Sequence, residues 1–157
     1  MCGICGFNWR DESLVMSMAN AMVHRGPDQH GTYCSDYVSL GHRRLCIIDL
    51  SERGRQPMTN EDGTIFLVFN GEIYNFRDLR KSLVSKGHIF TSDADSEVIV
   101  HAYEEYGVNV MSHLHGMFAF AIWDSRVHSI LLVRDRMGIK PLYYHFANGK
   151  LIFSSEI

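Results

Sequence analysis

Cys2 is the residue whose position says most about its chemistry, because only Met1 precedes it. With Met1 removed, one residue carries both a thiol and a free α-amino group. The thiol is a nucleophile, and an α-amine with a pKa of about 7.7–8.0 is largely available as a base near neutrality. A nucleophile served by its own terminal amine is an established device in covalent catalysis, whereas an internal cysteine needs a neighbouring His. Cys2 also forms a C-x-x-C pair with Cys5, the spacing of a redox motif or of half a zinc site. Cys34 and Cys46 are isolated and supply no second half, and no strand precedes the pair as a thioredoxin-like arrangement requires. Cys5 therefore reads as an inert packing residue, small and hydrophobic.

Five further groups of residues stand out, each with a plain structural reading. Asn70-Gly71-Glu72 follows the apolar run Ile65–Phe69. Asn-Gly is the strongest short signal for a type I′ hairpin turn, and on pattern alone that reading is favoured. The alternative is an oxyanion hole made of the Asn70 amide and the Gly71 backbone N–H, where one donor is worth roughly a hundred- to a thousand-fold in rate. Arg44 is either a solvated or paired residue at a strand end or a planar, two-pronged clamp for a carboxylate. Asp95 and Glu97 sit at the start of a predicted helix, where acids cap the helix and offset its dipole; Asp95 could instead accept hydrogen bonds from a substrate ammonium. His24-Arg25-Gly26-Pro27-Asp28 reads as a helix stop and turn, and the segment from Arg134 to Pro141 as a charged hairpin loop. Nine histidines are present. None falls in a convincing metal-ligand spacing, His113-x-His115 being the nearest, so no metal site is expected.

The elements that must position these residues form a mixed pattern. Cys2–Trp9 reads as a first strand. A helix follows with Leu14, Met18, Ala21 and Met22 at helical spacing and Asp11 or Ser13 as cap. Ser39–Ile48 is a strand carrying His42-Arg43-Arg44. Helices are predicted over Phe76–Lys86, stopped at Gly87, and from Ser96 to Tyr106, stopped at Gly107. Met117–Trp123, Ser129–Val133, Leu142–Phe146 and Leu151–Ser154 are short apolar runs that read as a β-meander. The whole is an α+β chain with mostly antiparallel pairing.

At 157 residues, 46% hydrophobic and 21% charged, the chain suits one globular domain. Fifteen basic against eighteen acidic residues give a formal charge of −3, which offers nothing to nucleic acid or an anionic membrane. No signal segment or membrane-length apolar run is visible, and four scattered cysteines are not a secreted disulfide framework; a cytoplasmic location is expected. The chain ends directly after a strand-like run, at Ser154-Ser155-Glu156-Ile157, as a domain cut short at its C-terminus would.

Taken in order, the motifs resemble one family, the glutaminase domain of class II glutamine amidotransferases in the asparagine synthetase branch. The stretches that carry the resemblance are Met1-Cys2-Gly3-Ile4-Cys5-Gly6, His24-Arg25-Gly26-Pro27-Asp28, Arg44-Leu45, Phe69-Asn70-Gly71-Glu72-Ile73-Tyr74-Asn75, Ser92–Glu97, Gly116-Met117-Phe118-Ala119-Phe120 and Arg134–Tyr143. The resemblance implies an N-terminal nucleophile hydrolase fold, a four-layer αββα sandwich of two mainly antiparallel sheets, over residues 1–157. It implies Cys2 as nucleophile with its freed amine as base, and Asn70 and Gly71 as the oxyanion hole. Arg44 would hold the carboxylate of L-glutamine, Glu72 and Asp95 its α-ammonium, and Leu45, Cys46, Ile47 and Ile48 would line the pocket. No cofactor is implied for this domain; ATP and magnesium belong to a C-terminal synthetase domain, the implied partner, whose Ser-Gly-Gly-x-Asp-Ser loop is absent from this sequence. Two other readings stay open, a domain feeding ammonia to a sugar- or peptide-modifying synthetase and a non-catalytic module of the same fold, and so does a homodimer.

Overall fold

The computed structural model describes residues 1–47 and 51–157. Among these residues nine strands form two antiparallel sheets. The first contains β1 (Gly3–Phe7), β2 (Gln29–Ser35), β3 (Val38–Arg44), β8 (Tyr143–Ala147) and β9 (Lys150–Ser154) in the order β2-β3-β1-β9-β8. The second contains β4 (Met58–Thr59), β5 (Ile65–Ile73), β6 (Gly116–Asp124) and β7 (Ser129–Arg134) in chain order. Helix α1 (Glu12–Ala21) covers the outer face of the first sheet; α2 (Phe76–Ser85) and α3 (Glu97–Tyr106) cover that of the second.

The two-residue alternation of a strand sorts side chains into three apolar layers. Between the sheets lie Ile4, Leu40, Val68, Ala119, Ala121, Trp123 and Phe153. Between β5–β6 and the two helices lie Leu67, Phe69, Phe118, Phe120 and Ile122 with Val98, Ile99 and Ala102. Cys5 and Phe7 face α1 through Val15, Ala19 and Met22. Three apolar layers separating four structural ones make the expected αββα sandwich. With both faces covered, β1 is buried at every position and reads as a continuous apolar run rather than an alternating one.

Several expectations need correction. The Asn70-Gly71 pair makes no turn: β5 runs through it to Ile73, nine residues in all. Gly71 is required there by a close approach, since a Cβ would lie 2.2 Å from the Met117 carbonyl oxygen. The final third is not a meander. β6 and β7 pair in one sheet, whereas β8 and β9 belong to the other, where β9 pairs with β1. The crossover is built by Asp135, whose carboxylate accepts N–H groups from Met137, Ile139, Lys140 and Phe118; in sequence, the polar residues of such a turn look the same as those of a hairpin. Edge strand β2 is polar and partly exposed, so no pattern announced it. In α1 Asp11 is the cap, accepting from the Leu14 N–H at 2.8 Å. Its buried face is Val15, Ala19 and Met22; of the stripe predicted, Met22 is buried, Met18 partly so, and Leu14 and Ala21 are exposed.

The inward face of β3 carries His42, fully buried. Its Nε2 hydrogen-bonds the Phe69 carbonyl at 3.0 Å, which makes it the protonated nitrogen of a neutral ring. Complete burial, aided by the nearby Arg44 charge, lowers its pKa from 6.5 to about 4. The unfolded chain therefore takes up a proton at this position before the folded one does, and stability is lost as pH falls through the window from 6.5 to 4. His42→Gln, whose amide can still donate to Phe69, is expected to flatten that part of the melting-temperature profile; an unchanged slope would assign the acid loss elsewhere.

Candidate active site

The inward alternation that fills the inter-sheet layer, followed past its apolar middle, reaches polar residues at one end. Along β1 it passes from Ile4 to Cys2, along β3 from Leu40 to His42 and Arg44, and along β5 from Val68 to Asn70 and Glu72. Cys2, Arg44, Asn70, Gly71, Glu72 and Asp95 all line one cavity of 160 Å³, together with Met1, Leu45, Ile47, Gln56 and Lys140. Cys46 is not part of this lining. Its N–H instead donates to Asp28 at 2.8 Å, which shapes the loop after β3. Ile48 lies outside the described residues.

Cys2 is fixed from three directions. Its carbonyl accepts from Arg25 Nε at 3.0 Å, and Arg25 is itself paired with Glu156. The Leu45 N–H donates to Cys2 Sγ at 3.4 Å, with the Leu45 carbonyl 3.8 Å from the same sulfur. Burial pushes the Cys2 thiol up; the Leu45 N–H, the positive terminus and Arg44 oppose this by favouring the thiolate. Cys5 differs: fully buried, with burial as the one cause, its thiol is pushed up to about 12. A thiol so reluctant to ionise is a poor redox partner, and all four cysteines are free.

The edge of β5 explains why Asn70 and Gly71 matter. In an antiparallel ladder a residue's N–H and C=O point to the same side. The Phe118 N–H and C=O both bond Asp135, away from β5, so its partner Gly71 also directs its N–H away from β6. The same holds two residues either way. The Phe69 N–H is taken by Gln56 Oε1 at 2.6 Å and the Ile73 N–H by Asp95 Oδ2 at 2.8 Å. The donor between them, Gly71 N–H, faces the cavity. Beside it Asn70 Nδ2 is buried without a hydrogen-bond partner. A buried amide left unpaired costs about 1–3 kcal/mol, a cost that a bound oxyanion would remove.

Charged groups share the cavity lining with these donors. Arg44 Nη1 donates to Gln29 Oε1 at 2.7 Å and to the Ser51 carbonyl at 2.8 Å. The guanidinium lies over Gly54, where a Cβ would be 2.1 Å from Nη2. Glu72 and Asp95 are the acidic members of the same lining. Burial raises the Asp95 pKa, the Ile73 N–H opposes it, and neighbouring Glu72 adds to the rise, as expected of two carboxylates awaiting a cation. Glu97 stands outside the cavity lining. Its carboxylate accepts from the N–H and hydroxyl groups of Thr91 and Ser92, holding the loop that presents Asp95. Burial raises its pKa, but nearby His101 and the Ser92 and Thr91 donors outweigh this and bring it to about 2.

Sequence reasoning missed Gln56 and Lys140. Gln56 precedes Pro57 in an unpatterned loop. Lys140 is buried against Met1 Sδ at 3.5 Å, and its motif resembled an ordinary charged loop. Among the described residues His113 and His115 join no metal-competent group. Among the described residues the one group of several metal-competent side chains is Glu61, His88, His101 and Glu104, drawn from three segments.

The chain matches over residues 1–157 a family model described as a glutamine amidotransferase domain, and it belongs to that family. It is 44% identical over 164 residues to asparagine synthetase [glutamine-hydrolyzing] 1 of Bacillus subtilis, covering 99% of this chain and 26% of that protein. It is 41% identical to the Zea mays asparagine synthetase [glutamine-hydrolyzing], covering 100% and 28%, and 43% identical to amidase chry2 of Gibberella zeae, covering 93% and 22%. The chain thus spans about a quarter of the length of these relatives. In fold it is similar to the glutamine phosphoribosylpyrophosphate amidotransferase of B. subtilis, with a TM-score of 0.80 at 20% identity over 98% of this chain and 42% of that one.

Thiol environment gives a direct check on the site. Alkylation of Cys2 by iodoacetamide is expected to accelerate with rising pH, as its raised pKa requires, while Cys5 stays unmodified until the fold is denatured. Peptide mapping that finds Cys5 labelled in the native state would contradict this assignment.

Proposed function

We propose that the chain hydrolyses the side-chain amide of L-glutamine to glutamate and ammonia, with Cys2 as the covalent nucleophile. The observation that carries this reading is the pair of unspent donors, Asn70 Nδ2 and Gly71 N–H, in one cavity with Cys2. In the same lining Arg44 suits the α-carboxylate, and Glu72 and Asp95 suit the α-ammonium. That polarity is the zwitterionic end of an amino acid, with the side-chain amide directed at the sulfur.

With Met1 removed, the Cys2 amine takes the thiol proton as sulfur attacks the carboxamide carbon. The tetrahedral oxyanion is received by Asn70 and Gly71. Its collapse breaks the C–N bond, the amine returns the proton to the leaving nitrogen, and ammonia departs. Water, deprotonated by the same amine, then hydrolyses the γ-glutamyl thioester and restores the thiol. No cofactor enters these steps. The relatives are about four times longer, which supports a synthetase partner domain as consumer of the ammonia, with ATP and magnesium acting there. Aspartate is the acceptor favoured by the asparagine synthetase relatives. The amidase chry2 match supports a second reading in which another acceptor is aminated. No described helix is long and apolar enough to cross a membrane, in keeping with a cytoplasmic biosynthetic role.

Glutamate release from glutamine is the test. Cys2→Ala is expected to abolish it with the melting temperature unchanged. Asn70→Leu should lower kcat by about a hundred- to a thousand-fold with little change in KM; because it removes an unpaired buried amide, stability should hold or rise. Equal loss of stability and rate would mean that Asn70 is structural. Asp95→Asn retains an acceptor for the Ile73 N–H but loses the charge, and should weaken glutamine binding by about 2–5 kcal/mol. In the unaltered chain KM should climb as pH falls through the raised Asp95 range, because protonation removes the anion that the ammonium needs. The Asn variant should show weak binding without that dependence.

A further inference from the structure

Outside the glutamine pocket, on the far side of the second sheet, four side chains converge from three separate segments. Glu61 comes from the turn between β4 and β5, His88 from the loop after α2, and His101 and Glu104 from successive turns of α3. One oxygen or nitrogen from each lies within 4.8 Å of all the others. His101 Nδ1 is 3.1 Å from Glu104 Oε2 and 3.5 Å from Glu61 Oε2, and His88 Nδ1 is 3.5 Å from Glu104 Oε2. Zinc holds imidazole nitrogen and carboxylate oxygen at about 2.0–2.2 Å in a tetrahedron. The edge of such a tetrahedron is about 3.3–3.6 Å by geometry from those bond lengths, close to the separations seen here.

The atoms facing away from this point are supported as well. Glu61 Oε1 accepts the Ile89 N–H at 2.9 Å, and Glu104 Oε1 accepts from Asn60 Nδ2 at 2.8 Å. His88 Nε2 is 3.1 Å from Glu105 Oε1. His101, 1% exposed, has its Nε2 without a hydrogen-bond partner, the Glu97 carboxylate lying 3.9 Å away. Histidines that ligate a metal present their other nitrogen to a carboxylate as His88 does to Glu105, and ligating carboxylates are themselves hydrogen-bonded. A divalent ion would also neutralise the two carboxylates, and two imidazoles favour zinc over the oxygen-seeking calcium or magnesium.

We infer that Glu61, His88, His101 and Glu104 form a structural zinc site that ties the β4–β5 turn and the end of α2 to α3. The site is independent of the glutaminase reading. It stands behind the segment that presents Asp95, joined to it through Glu97, so a bound ion would stiffen one wall of the pocket without touching substrate.

The test is zinc titration of the purified, chelator-treated chain by calorimetry, after alkylation of the accessible cysteines so that thiolates cannot compete. One zinc per chain is expected, with a rise in melting temperature that grows with free zinc. Cobalt in its place should give the intense visible absorption of tetrahedral coordination. His88→Gln and the more exposed Glu61→Gln should each weaken binding by at least about tenfold, while both remain folded by their own melting transitions. No zinc uptake, an octahedral cobalt spectrum, or titrations that neither variant alters would overturn the proposal and leave only histidine–carboxylate ion pairs.

Discussion

The structure depends on holding the start of the chain in the middle of a sheet. β1 lies between β3 and β9, buried on both faces, and Cys2 emerges from its end into the layer between the sheets. Placement by two flanking ladders removes the freedom that a chain terminus ordinarily keeps. The remaining elements serve this arrangement: α1 covers one face, the second sheet covers the other, and Arg25 ties the Cys2 carbonyl to Glu156 beyond β9.

The second sheet contributes through what it leaves unpaired. Along the outer edge of β5 every second N–H must find an acceptor. Gln56 and Asp95 satisfy two, and Gly71 between them keeps its donor for the cavity. The same constraint explains the glycine: the close, non-hydrogen-bonded pairing that turns its N–H outward brings the β6 backbone too near for any Cβ. Asp135 is therefore a distant determinant of the site. By capturing both polar groups of Phe118 it sets the side to which Gly71 points, and by shaping the crossover it buries Lys140 beside Met1.

Helices α2 and α3 were legible because each predicted run stopped at a glycine, Gly87 or Gly107, and both do adopt positive φ. Strand positions in the last third were legible too, but not their sheets, because periodicity marks a strand and says nothing of which edge it joins. Asn70-Gly71 misled for a related reason: turn propensity is local, whereas the need for glycine came from β6. Cys2, Arg44, Asn70, Gly71, Glu72 and Asp95 could be named as candidates from residue type and resemblance, and they do share a cavity. Gln56 was invisible because its role is fixed only by the backbone edge it meets. The Glu61–His88–His101–Glu104 group was invisible because its members are spread over 44 positions.

The most direct test of a glutamine-specific N-terminal nucleophile is one intact-mass spectrum of the purified chain treated with a diazo-ketone analogue of glutamine. A mass lacking Met1 and carrying a single adduct, mapped to Cys2, is the expected result. Loss of Met1 with no adduct, or an adduct on another cysteine, would contradict the account, because a freed nucleophile facing a formed glutamine pocket has no reason to remain unmodified.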